Sequence, residues 1–202
     1  MKIKSHPCFV KLIDKNIDLN IVGKLSASKS ALIIMDPWQN SRYEEKKFFF
    51  SKIIEKKLIP VIQKAKNLKI KIVVLTNSCN NSNYNCGIHN KVIQILKGYN
   101  DYEILYHQDF QSRDFGNHLI KNNIKNIIYT GFSSDECIIG RPMGIVTMKN
   151  SFPHFKYFFI PEASGSFDLS EPLNSGINHK IATKIINQYS EIIHFENFME
   201  GF

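Results

Sequence analysis

Asp36 and Cys137 each close a short apolar run, "ALIIMD" over 31–36 and "NIIYTGFSSDEC" over 126–137. A thiol with a pKa of about 8.5 is mostly protonated at neutral pH and attacks poorly until a base takes its proton. A carboxylate and a cysteine brought together can do nucleophilic chemistry: Asp36 as proton acceptor, Cys137 as nucleophile. "SSDEC" followed by "IIG" reads as a helix start with Ser134 or Asp135 as the cap. Cys137 would then sit in a first turn, where the helix dipole favours a thiolate and free N–H groups can hold an oxyanion. The plain alternatives are a buried structural cysteine and an aspartate that caps a helix.

The elements that must position these residues alternate in kind. Continuous apolar runs occur at 31–36, 71–76, 103–107, 126–131 and 156–161. Unbroken rather than alternating runs fit strands covered on both faces, as in parallel sheets. Between them lie segments of helical spacing. "KKFFFSKIIEKKLIPVIQKAKNL" sets Phe49, Ile53, Ile54, Leu58, Val61, Ile62 and Ala65 on one stripe, with Pro60 predicting a kink or a break. Further helices are expected in "HNKVIQILKGY", "FGNHLIKNNI" and "NHKIATKIINQYSEII". This alternation predicts a three-layer α/β fold with right-handed crossovers, a single domain over residues 1–202.

Ligands of open parallel sheets bind beyond the carboxyl ends of the strands. Those ends present Asp36, then Thr76 and Asn77, then His107, Gln108 and Asp109, and finally "GFSSDEC". Asn77 and Ser134 are therefore candidate substrate contacts. Trp38 could wall an apolar pocket or fill the core.

Composition narrows the classes. Residues 1–71 carry 15 lysines and one arginine against six acids, and the remainder is slightly acidic. The excess is lysine spread over helix faces, without an arginine-rich groove or an aromatic-basic pattern, so nucleic acid is not the expected partner. No run approaches the roughly 20 apolar residues of a membrane span. The first residues lack the apolar core of a secretory signal. The expectation is a cytoplasmic protein whose four cysteines are reduced. Cys79, Cys86 and His89 do not have metal-ligand spacing.

"ALIIMDPWQN" resembles the first-strand motif of the isochorismatase-like cysteine hydrolases, in which an aspartate ends the strand. "NIIYTGFSSDECIIG" resembles their nucleophile segment, and the resemblance spans nearly the whole chain. It implies a Rossmann-like, six-stranded, mostly parallel sheet flanked by helices. It also implies hydrolysis of an amide or related C–N bond in a small molecule by an Asp–Lys–Cys triad, often in a homo-oligomer. The aspartate and cysteine carry over as Asp36 and Cys137. The lysine does not, since none lies between Lys97 and Lys121. His107 or Gln108 takes its place, the first as a base or positive partner, the second as a neutral donor. After the cysteine the chain reads "GRPMG". Pro142 is costly beyond a first helical turn, so the helix is expected to be delayed or broken there, freeing Arg141 to grip a substrate carboxylate. The Asp–His–His metal pattern of nicotinamidases is missing, and neither metal nor cofactor is expected. A second reading keeps the fold and drops catalysis, leaving a small-ligand-binding or oligomeric scaffold.

Overall fold

The computed structural model describes residues 25–39, 50–79, 86–167 and 176–201. Six strands form one sheet: β1 (Ser30–Met35), β2 (Lys71–Thr76), β3 (Tyr102–Tyr106), β4 (Asn126–Phe132), β5 (Lys156–Gly165) and β6 (Glu191–Ile192). Their spatial order is β3-β2-β1-β4-β5-β6. Every pairing is parallel. The helices are α1 (Ile59–Asn67), α2 (Asn90–Leu96), α3 (Ser112–Lys121), α4 (Cys137–Gly140), α5 (Ile145–Ser151), α6 (Ile177–Ile186) and α7 (Phe195–Glu200).

The unbroken apolar runs become strands because both faces are covered. Ser30 to Met35 are each 0% exposed, as are Ile72 to Thr76. Helix α1 touches both α2 and α7, while α3 touches α5, giving two helical groups that flank the sheet. β3 is a short, half-exposed edge, where a bare row of backbone groups is least hazardous. No helix of the described residues is long and apolar enough to cross a membrane.

Three local expectations change. Pro60 does not break its helix: a π turn over Ile54–Leu58 runs directly into Ile59–Asn67. Widening the ladder just before Pro60 accommodates a residue with no N–H to give. The helix expected over 178–193 ends at Ile186, and Glu191–Ile192 pair with β5 as the sixth strand. Cys79 and Cys86 form a disulfide with a Cα–Cα distance of 5.1 Å. This overturns the expectation of four reduced thiols. Thr76 Oγ1 donates to Gly87 O (3.3 Å) and Gly87 N to Asn77 O (3.4 Å), folding the chain back until the two cysteines meet. Phe49 and Cys8 lie outside the described residues.

Where the order reverses, β1 and β4 lie side by side, Met35 opposite Gly131. Gly131 has φ +106°, and a Cβ there would lie 2.0 Å from the Met35 carbonyl oxygen. Glycine alone permits this approach. It brings the chain after β1 and the chain after β4 to one rim.

Candidate active site

Asp36 is the residue after β1. Its N–H donates to Leu75 O at 2.7 Å and its C=O accepts from Trp38 N–H at 2.8 Å. These bonds hold it at φ 46°, left-handed backbone that aspartate tolerates better than most but that still costs about 1–3 kcal/mol. The carboxylate is fully buried.

His107 follows β3, and its N–H extends the ladder to Thr76 O at 3.0 Å. Two strand spacings, about 10 Å, separate β3 from β1. The imidazole spans the end of β2, so that its Nε2 lies 3.0 Å from Asp36 Oδ1 with both side chains buried. Gln108 turns the other way: its Nε2 donates to Ser78 Oγ at 2.5 Å in an exposed position. Of the two residues expected at the third position, His107 is the one brought to Asp36. Among the described residues, His107 Nδ1 and Asp36 Oδ2 have no hydrogen-bond partner.

Cys137 opens α4 and is 5% exposed. Neither expected cap is used. The N-cap is Glu136, without a side-chain bond. Asp135 Oδ1 instead accepts from Phe167 N–H at 3.4 Å. Ser134 Oγ pairs with His179 Nδ1 at 2.8 Å, and its N–H donates to Gly165 O. The expected lowering of the thiol's pKa fails as well. Burial first, then the charge of Asp36, push Cys137 up to about 12, while Arg141 and a backbone hydrogen bond with Ser133 pull it down. A helix of four residues has little dipole to set against burial. The resting sulfur is a protonated thiol facing a carboxylate.

Arg141 reaches the same carboxylate from the far end of that turn, with Nη2 3.5 Å from Asp36 Oδ2. Trp38 is 6% exposed and lies in an aromatic cluster, stacked on Phe167 (5.5 Å between centroids) and tilted against Phe50 (6.3 Å). Its Nε1 has no partner among the described residues. It packs into the core. Asn77 stands at the base of the disulfide-closed loop, where its carbonyl receives Gly87 N–H. Sequence reasoning missed His179, Ser133 and Phe167. The serine was visible beside Ser134, but the histidine on α6 and the phenylalanine after β5 gave no local signal. Among the described residues no three His, Cys, Asp or Glu side chains gather as a metal site.

No family model and no curated protein matches the chain by sequence. Its architecture does match solved structures, and the fold is that of the isochorismatase-like hydrolases. The YcaC protein of Escherichia coli, an octameric hydrolase of unknown specificity, aligns with TM-score 0.60 and 13% identity over 87% of this chain and 79% of its own. A ribonuclease from Caenorhabditis elegans gives 0.62 and 16% over 88% and 82%. The nicotinamidase of Staphylococcus aureus gives 0.58 and 14% over 81% and 96%.

Proposed function

We propose that residues 1–202 form a single hydrolase domain that cleaves an amide or related C–N bond of a small molecule, with Cys137 as nucleophile, Asp36 as base and His107 in the third position. The observation that carries this reading is the unequal use of the Asp36 carboxylate: Oδ1 is taken by His107, while Oδ2 accepts no hydrogen bond among the described residues and has only Arg141 Nη2, at 3.5 Å, as an ion-pair partner there. A fully buried lone pair left unsatisfied is costly unless something is to use it. The thiol proton is the natural occupant.

The chemistry follows from that geometry. As a carbonyl carbon approaches, the Cys137 S–H proton passes to Asp36 and the sulfur attacks, forming the C–S bond and a tetrahedral oxyanion. Collapse breaks the C–N bond, and the leaving nitrogen takes the proton from Asp36. Water then attacks the thioester, gives its proton to Asp36, and the thiol is restored. Proton transfer within the attack suits a thiol held up near 12, since a free thiolate is never required at rest. Trp38 and Phe167 supply an apolar wall for the substrate's body.

Support for self-association comes from Ile177, Ile181 and Ile185, exposed at helical spacing along α6, and from the octameric relative. Nucleic acid is left out of the reading: the lysine excess belongs to residues 1–71 and not to the strand-end cluster.

The raised thiol pKa and 5% exposure of Cys137 also favour the second reading, a binder without turnover. A panel of small primary amides and ureido compounds, assayed for released ammonia, separates the two. Wild type should turn over at least one compound, and Cys137→Ala should abolish that turnover with an unchanged circular dichroism spectrum. Activity retained in Cys137→Ala would remove the cysteine from the reaction.

A further inference from the structure

His107 Nε2 lies 3.0 Å from Asp36 Oδ1, with both side chains buried. Its Nδ1 is buried and has no hydrogen-bond partner among the described residues. The ring is thus committed through one nitrogen, to Asp36. It is not among the groups that act on the thiol and does not itself meet the sulfur.

Arg141 does. "IIGRPMG" shows how the chain aims it. The ring of Pro142 disfavours helical backbone at the preceding residue, and Arg141 is accordingly extended, φ −63° and ψ 156°. The helix stops after one turn, with Arg141 N–H still bonded to Cys137 O at 3.2 Å. The chain then doubles back through Gly144, where a Cβ would lie 2.8 to 3.0 Å from the carbonyl oxygens of Ile138, Cys137 and Arg141. This tight return keeps the guanidinium within hydrogen-bonding reach of the Cys137 side chain. At 3.5 Å and through one nitrogen, its contact with Asp36 falls short of the two-point grip that arginine and carboxylate form when they satisfy each other. The fork is left with capacity to spare, and its side chain is 30% exposed.

We infer that Arg141 is the cation that meets the Cys137 sulfur, stabilising it as it ionises, while His107 is a positioning residue that holds Asp36. The inference rests on Cys137 as the reacting group in the proposed function. The groups facing the thiol are Asp36 from β1, Arg141 with Glu136 beside it on α4, and the backbone of Ser133; His107 from β3 acts through Asp36.

The test needs no substrate. Iodoacetamide alkylation is followed against pH on the peptide that contains Cys137, by mass spectrometry, in wild type, Arg141→Gln, Arg141→Lys and His107→Gln. An opposite charge within a few ångströms is worth about one pKa unit or more, so Arg141→Gln should slow alkylation about tenfold at any pH below the midpoint. Arg141→Lys should recover most of the rate. His107→Gln, which offers Asp36 an N–H donor, should trace the wild-type profile. Guanidinium ions at concentrations too low to unfold the protein should accelerate Arg141→Ala and leave wild type unchanged, a rescue that loss of structure cannot imitate. If Arg141→Gln overlays wild type, or His107→Gln moves the profile as far as Arg141→Gln does, the assignment is overturned. Failure of the amide panel would sink the hydrolase reading yet leave this outcome readable.

Discussion

Two histidine–carboxylate pairs sit at opposite regions of the sheet, and the shorter one is the more exposed. His194 Nδ1 lies 2.6 Å from Glu162 Oε1, with side chains 44% and 31% exposed. His107 Nε2 lies 3.0 Å from Asp36 Oδ1, at 4% and 0%. Water screens the first pair, and such contacts are worth about 0–1 kcal/mol. The more telling contrast is in the second oxygen of each acid. Glu162 Oε2 accepts Phe195 N–H at 3.1 Å, so β5 caps α7 and the carboxylate is fully used. Asp36 Oδ2 accepts no such bond among the described residues; a loose arginine contact lies on it, and the Cys137 thiol lies beside the carboxylate. Distance does not separate these pairs in kind; burial and unspent capacity do.

Asp36→Asn is the hardest blow to that contrast. Asparagine also tolerates left-handed backbone and can accept from His107 with the oxygen that replaces Oδ1. The fold should stand, with a thermal midpoint near that of wild type. Turnover of any substrate from the amide panel should fall by about 10²–10⁴, the usual worth of a positioned base. A variant within a few-fold of wild type would mean that Oδ2 is idle.

A smaller effect lies in the pH dependence of stability. An ordinary cysteine loses its proton near 9 and Cys137 near 12, so the folded chain keeps a proton that the unfolded chain surrenders between the two. Stability from this source is complete below pH 9 and is lost as pH rises toward 12. Urea midpoints of wild type should therefore fall more steeply above pH 9 than those of Cys137→Ala. Parallel curves would show that the sulfur is not held as a thiol.

The two residues proposed to react were legible because their strands are. Runs buried on both faces announce parallel strands without help from periodicity, and Asp36 and Cys137 follow such runs, on either side of the reversal in strand order. The choice between His107 and Gln108 was not legible, since successive residues past a strand end point to opposite sides and only the path over β2 selects one. Pro142 did foretell the broken helix and an inward Arg141. The thiol's pKa was misjudged because a motif shows the cap and the dipole, while burial, the larger influence, belongs to the assembled core. The Cys79–Cys86 bridge escaped for a similar reason: it depends on the return of Gly87 to Asn77, a tertiary contact.

The exposed pair yields the smallest effect and the cleanest control. Glu162→Ala removes both the partner of His194 and the acceptor for Phe195 N–H. Losing a helix cap costs typically about 1 kcal/mol, which for a chain of this size lowers the thermal midpoint by about 2–4 °C. His194→Ala leaves the cap intact and should stay within about 0.5 kcal/mol of wild type. Neither should change the alkylation profile of Cys137. If His194→Ala matched Glu162→Ala, the ion pair rather than the cap would hold α7, and a 2.6 Å contact in water would matter more than its exposure allows.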